Sequence, residues 1–279
     1  MKVIDFRLRP PFGGYLNLDM YTDLNATLNR PRKVGLEPAA STQHRSMDLL
    51  LQEMEEAGIV TGVAAARVAK HGCVSNDEAA ALVKEYPGRF VAFGAIDPSD
   101  RRSALKEVDR VIRELRFPGI VMDPGMLAWP MYLDDRRIYP IYQRCAELGA
   151  LVMLMAGGNA GPDVSYTFPQ AIDHVSNDFP EVTFIAGHSG WPWTTEICGL
   201  ALRRENLHLV LDSYMINVPG VQDYVIAANY YLQDRAMFGT SYPYLPLKPT
   251  LEIFRGLPFR KEVLPKLLYE NAARLLRIG

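Results

Sequence analysis

The sequence predicts a single α/β domain over residues 1–279, folded as a closed (β/α)8 TIM barrel. Three observations lead there. Short, nearly continuous apolar runs recur along the chain, as strands buried on both faces of a parallel sheet require. Amphipathic stretches of helical period separate them. No GxGxxG or GxxxxGK[ST] loop follows any run, which argues against an open nucleotide-binding sheet.

The first strand is VIDFRLRP, Val3 to Pro10, with Asp5, Arg7 and Arg9 in alternate positions and therefore on one face. Residues 11–42 follow, with Gly13, Gly14, Asn17, Asn25, Asn29, Pro31 and Pro38 and no clear period. A segment of that length reads as a loop closing over a site, a lid. Met47, Leu50, Leu51 and Met54 then share one helical face, and Gly58 ends the helix. The remaining strands are GVAAARV (62–68), FVAFGAI (90–96), GIVMD (119–123), LVMLMA (151–156), TFIAGH (183–188), LHLVLD (207–212) and AMFGTS (236–241). Helical stretches between them include NDEAAALVKEY, RRSALKEVDRVIREL, DRRIYPIYQRCAELG, YTFPQAIDHVSNDF and VQDYVIAANYYL. KEVLPKLLYENAARLL closes the chain with Val263, Leu267, Leu268, Ala272 and Leu275 on its apolar side. No linker or shift in composition divides the chain.

The composition, 48% apolar and 22% charged, is that of a protein with a large core. A net charge of −2 gives no general attraction to nucleic acid or anionic lipid, so any anion binding must be local. Cys73, Cys145 and Cys198 are too few and too scattered for a disulfide framework or a thiolate metal site. With no export signal and no long apolar run in the sequence, the expected location is the cytoplasm, with no membrane partner. Homo-oligomerisation is left open.

In such a barrel the chemistry sits where the strands end. The polar residues there are Asp5, Arg7 and Arg9 on the first strand, then Arg67, Asp97, Asp123, His188, Asp212 and Ser241; Met155 closes the fifth. Paired guanidiniums match carboxylates and phosphates in bidentate fashion. His188, with an ordinary pKa near 6.5, suits proton transfer near neutrality, and nearby arginines would favour its neutral form.

Four motifs in order, VIDFRLRP, FIAGHSGWP, MFGTSYP and LLYENAARLL, resemble signatures of the amidohydrolase superfamily, in its amidohydrolase-related branch. The resemblance spans the whole chain. It implies a barrel enzyme among decarboxylases, lactonases and amide or ester hydrolases, most of them metal-dependent. The departures carry equal weight. Where metal-dependent members place two histidines in strand one, histidines in strands five and six and an aspartate in strand eight, this sequence has Arg7, Arg9, Met155, His188 and Ser241. Guanidinium has no lone pair to offer, and thioether and hydroxyl are poor partners for zinc or manganese. No metal and no other cofactor is expected.

The expected activity is therefore metal-independent hydrolysis of a lactone, ester or amide in a small carboxylate-bearing compound, with decarboxylation as the alternative. Arg7, Arg9 and Arg67 are expected to clamp the substrate carboxylate, with the aromatic wall of the pocket drawn from Trp191, Trp193, Tyr214, Tyr242 and Tyr244, Trp191 and Tyr242 foremost. His188, assisted by Asp212 or Asp123, moves protons or activates water. A Ser241–His188–Asp212 nucleophilic arrangement can be drawn, although nothing around Ser241 resembles a nucleophile elbow. Three competing readings stay open: structural salt bridges around Arg7 and Arg9 in an inactive barrel, a non-catalytic anion-binding protein, and a metal enzyme using Asp123, His188 and Asp212.

Overall fold

The computed structural model describes residues 1–278. Eight parallel strands follow one another around the sheet in sequence order: β1 Val3–Leu8, β2 Ile59–Ala65, β3 Phe90–Ala95, β4 Gly119–Met122, β5 Leu151–Met155, β6 Phe184–Gly187, β7 Leu207–Leu211 and β8 Ala236–Phe238. Because β8 is only three residues long, closure falls to the chain just beyond it. Leu8 forms a parallel bridge with Tyr242, and the Arg9 amide donates to the Tyr242 carbonyl at 2.9 Å. The result is a (β/α)8 barrel in one domain.

The strands are buried almost throughout, which is why their sequences run apolar without alternation. Helices cover the outside: α1 Asp19–Thr22, α2 Leu24–Arg32, α3 Ala40–His44, α4 Met47–Ala57, α5 Asn76–Glu85, α6 Arg101–Asp109, α7 Tyr139–Leu148, α8 Pro169–Asp178, α9 Thr194–Arg203, α10 Val221–Asn229, α11 Leu247–Gly256 and α12 Asn271–Leu276. The predicted face of α4 turns inward through Leu50 and Met54. Ser46 accepts from the Leu49 amide at its start, and Gly58 takes the left-handed conformation (φ 71°) at its end. A reciprocal capping box between Ser75 and Glu78 starts α5. Among the described residues no helix is long and apolar enough to cross a membrane.

Residues 11–42 depart from the expected structureless loop. They form a 3-10 turn at Gly13–Asn17, then α1, α2 and the start of α3. Tyr15, Leu18, Met20, Tyr21 and Thr27 are buried there. The helices are too short to show a period in the sequence, and the segment is held by burial rather than by propensity.

Candidate active site

The carboxyl ends of the strands surround a cavity of about 280 Å³. Its charged lining is Arg7, Arg9, Arg30, Arg67, Asp19 and Asp123, with His188 among them.

Alternation along β1 carries Arg7 and, one step past the strand, Arg9 into this cavity, both 4% exposed. Their backbone is fixed from two sides. Asp5, fully buried, accepts from the Arg7 amide at 3.0 Å and from the Thr240 amide and hydroxyl at 2.9 and 2.5 Å, latching β1 to the end of β8. The Tyr21 hydroxyl, from α1, donates to the Arg9 carbonyl at 2.7 Å. Neither guanidinium has a carboxylate within ion-pair distance among the described residues, and the Nε atom of each lacks a hydrogen-bond partner. Burial pulls the Arg7 pKa down, partly offset by Asp212 and Asp123; it pulls that of Arg9 well down, with Arg7 and Arg67 adding to the effect. Those directions express the cost of like charges buried together without an anion between them.

Arg67, just past β2, is differently placed: its Nη1 donates to Asp19 at 3.0 Å, and its Nε lies 3.8 Å from Asp123 Oδ2. Asp123 follows β4. Burial raises its pKa, against the opposing pull of Arg67, Arg9, Arg7 and His188, and its Oδ1 has no hydrogen-bond partner among the described residues. This carboxyl is biased toward its protonated form.

His188 follows β6 in a left-handed conformation (φ 66°), and Ser189 after it is left-handed too (φ 47°). Non-glycine residues in that region carry strain of roughly 1–3 kcal/mol each, so the surroundings must impose it. Here the Ser189 hydroxyl donates to the Val210 carbonyl at 2.6 Å, and the buried Tyr224 hydroxyl donates to the Ser189 carbonyl at 2.9 Å. Gly157 adds the space: a Cβ there would come within 2.5 Å of His188 Cβ. The ring's Nε2 is 3.3 Å from Arg7 Nη2. Because a guanidinium only donates, Nε2 is the acceptor, and Nδ1 carries the proton toward Asp212. Nδ1 lies 2.8 Å from Asp212 Oδ2, at ion-pair distance but off the line of a straight hydrogen bond. Burial lowers the His188 pKa against the pull of Asp212, so the ring is neutral near pH 7. For Asp212, burial alone would raise the pKa, but His188, Arg7 and Ser241 hold it below its ordinary value. Asp123 and Asp212 are thus driven in opposite directions, the pattern that separates an acid from a base within one site.

Three expected roles need correction. Ser241 is buried outside the cavity lining, and its Oγ lies 3.4 Å from His188 Nδ1, the nitrogen that also faces Asp212. A nucleophilic triad needs serine and aspartate on opposite ring nitrogens, so this geometry does not form one. Tyr242 points away from the cavity and donates to Ser41 Oγ at 2.9 Å, which in turn donates to Glu53 at 2.5 Å. Trp191 stacks behind Tyr214, with ring centroids 4.6 Å apart, and does not line the cavity. Of the aromatic group expected there, Tyr214, edge-on to His188, and Tyr244 line the cavity. Asp97 is exposed on the surface. Asp19 and Asn159 line the cavity without any signal in the sequence, since both lie between the regular βα units.

The donor set does not suit the metal that the resemblance implies. The two guanidiniums have no lone pair, Met155 offers a thioether, and the Ser241 hydroxyl is engaged behind His188. Among the described residues, no three His, Cys, Asp or Glu side chains converge to hold a metal ion, Asp123, His188 and Asp212 included.

The fold matches that of an uncharacterised TIM-barrel protein from Bordetella bronchiseptica, 44% identical, at a TM-score of 0.96 and covering 99% of both chains. 5-Carboxyvanillate decarboxylase from Sphingomonas paucimobilis shares the fold at a TM-score of 0.70 and 18% identity, over 100% of this chain and 99% of that one. A 2-amino-3-carboxymuconate-6-semialdehyde decarboxylase from Dictyostelium discoideum is 34% identical over 88 residues; the match spans 32% of this chain and only 24% of that protein. The family model described as Amidohydrolase matches residues 29–278, so the barrel, the motif order and the strand-end site are those of a chain that belongs to the amidohydrolase family.

Proposed function

We propose that the protein is a non-oxidative decarboxylase of a small carboxylic acid, with guanidinium groups serving where most of the family uses a metal ion. The observation that carries this is the cluster of Arg7, Arg9 and Arg67 at the cavity floor, two of them without a carboxylate partner, facing a carboxyl, Asp123, that burial biases toward protonation. The decarboxylase name of the Dictyostelium relative supports the reaction class.

The chemistry follows from where charge moves. The C–C bond to the carboxylate breaks, CO2 leaves uncharged, and the bonding pair flows into the adjacent π system and onto a substrate oxygen. An arginine bound to the departing carboxylate would favour the ground state, whereas one aimed at the oxygen gaining charge favours the transition state. Arg7 and Arg9 take that second position, and Arg67 holds Asp19 and Asp123 in place. Asp123 first delivers its proton to the carbon that bears the carboxylate while the substrate hydroxyl loses its proton and becomes a carbonyl; that carbonyl oxygen takes the bonding pair when CO2 leaves, and Asp123 is reloaded from solvent, one proton per turnover. Once Arg7 turns from Nε2 to the substrate oxygen, neutral His188, oriented by Asp212, takes the proton of the substrate hydroxyl at Nε2 and returns it to that oxygen after CO2 has left.

Hydrolysis is the second reading, favoured by the His188–Asp212 pair: the same Nε2 would take a proton from water while Asp123 protonates the departing oxygen. The two separate cleanly. Protein purified without chelator is incubated in D2O with a panel of small unsaturated and aromatic carboxylic acids and lactones, followed by NMR. Decarboxylation predicts CO2 release, deuterium at the vacated carbon, activity unaffected by chelators, and a loss of at least about 100-fold in kcat for Asp123→Asn with binding retained. Uptake of water without CO2 release supports hydrolysis instead. Turnover that follows bound metal overturns the guanidinium role.

A further inference from the structure

Of the residues that line the cavity, Asp19 and Arg30 alone come from residues 11–42, and the helices that carry them are held very differently. α1 is anchored inward: Met20 and Tyr21 are buried, the Tyr21 hydroxyl donates to the Arg9 carbonyl, and Asp19 pairs with Arg67. α2, LNATLNRPR, buries only Thr27 and Pro31, and its main contacts are with its chain neighbours α1 and α3 rather than with the strands. A polar helix with so little buried apolar surface belongs to the part of a fold that opens at low cost.

Among the described residues, two polar ties join this segment to the loops of the barrel. The Arg30 guanidinium lies 4.2 Å from the centre of the Tyr244 ring and donates to the Tyr214 hydroxyl, so it clasps the loops after β7 and β8 at once. The Asn217 side-chain amide donates to the Val34 carbonyl at 2.8 Å. The backbone can pivot on either side of the helix. Asp23, between α1 and α2, is non-helical (φ −105°, ψ 70°), and Gly35 is left-handed (φ 78°), where a Cβ would meet only Asn217 Nδ2, at 4.0 Å. With α2 in this position Arg7 and Arg9 are 4% exposed and Arg67 is 7% exposed, so a ligand that reaches them needs a wider passage.

We infer that α2 is a hinged cover of the cavity and that Arg30 is its latch: release of Arg30 from Tyr214 and Tyr244 lets residues 24–34 swing on Asp23 and Gly35 and admits or releases a ligand. Closed, the cover keeps bulk water from the protons carried by Asp123 and His188. The inference rests on the cavity being a ligand site, and it adds how that site is reached.

Two readouts that need no substrate test it. One is backbone hydrogen–deuterium exchange over residues 24–34; the other is carbethoxylation of His188 by diethyl pyrocarbonate, located by peptide mass spectrometry. Arg30→Gln removes the latch. Asn217→Gly removes the outer tie from a residue that does not line the cavity, and glycine suits the left-handed backbone there (φ 53°). Arg32→Gln, at a side chain that pairs outward with Glu37, is the control. Arg30→Gln is expected to raise both α2 exchange and His188 labelling at least about fivefold. Asn217→Gly should raise both by about twofold, and Arg32→Gln should raise neither. Exchange in α4 and labelling of the exposed His174 stay as in wild type, which also shows that each variant is folded. Faster His188 labelling in Arg30→Gln without faster α2 exchange would make Arg30 a plug rather than a latch and overturn the inference. Both readings unchanged in the two variants would do the same. If both rise and no small acid is ever turned over, the cover stands and only the proposed reaction fails.

Discussion

At the residue scale, the proposed reaction turns on the environment of a single ring, His188. Burial lowers its pKa from 6.5, and Asp212 opposes that. The proposed decarboxylation needs His188 neutral and Asp123 protonated. The acid limb of kcat/KM therefore lies below 6.5, and the alkaline limb, set by Asp123, lies above the ordinary 3.8 of an aspartate. Asp212→Asn removes the group that raises the His188 pKa and is expected to move the acid limb to lower pH; a pH–rate profile whose acid limb moves up instead would contradict the pairing. Gly157→Ala forces a Cβ to within 2.5 Å of His188. The left-handed backbone leaves the ring little room to retreat, so kcat should fall by about 10- to 100-fold, with near-wild-type thermal stability. Full activity in this variant would show that the ring position is not constrained from that side.

The site depends on elements that differ greatly in how well the sequence announces them. Helix α4 was readable because its apolar period is long enough to outweigh chance and its caps, Ser46 and Gly58, are of the expected type. The helices of residues 11–42 were not, because four to nine residues cannot display a period, and α2 even contains Pro31. Yet α1 and α2 supply Asp19 and Arg30 to the cavity. The start of α2 is held by Asp23, whose side chain accepts from the Ala26 amide at 3.2 Å. Asp23→Ala should cost about 1 kcal/mol of stability in chemical denaturation. An unchanged denaturation midpoint would show that this cap does not hold the helix.

Across the whole molecule, closure of the barrel converges on Asp5, which joins β1 to the chain after β8. Burial raises its pKa to about 7, against the three hydrogen bonds it accepts. For an acid whose folded pKa is raised, the stabilising contribution is complete below the unfolded value and is lost as pH rises through the folded one. The fold should therefore lose on the order of 2 to 4 kcal/mol from this group between about pH 4 and about pH 7. Asp5→Asn mimics the protonated form, so its stability relative to wild type should grow across that interval in denaturation series. A difference independent of pH would mean that Asp5 stays ionised throughout.

The amino-acid order by itself determined the barrel, because strands buried on both faces and helices packed on one leave a periodic apolar record that no neighbour has to complete. It also placed Arg7, Arg9, Arg67, Asp123, His188 and Asp212 at strand ends, where alternation and the known polarity of such barrels aim them at one mouth. Only the tertiary structure decided which groups meet. That Ser241 and Asp212 face the same nitrogen of His188, that Tyr242 anchors the first segment while Tyr214 and Tyr244 wall the cavity, and that Arg30 lacks an acid are all matters of distance between residues far apart in the chain. Local periodicity fixes direction along an element, whereas contact geometry depends on how the elements close against one another, and no local pattern encodes that.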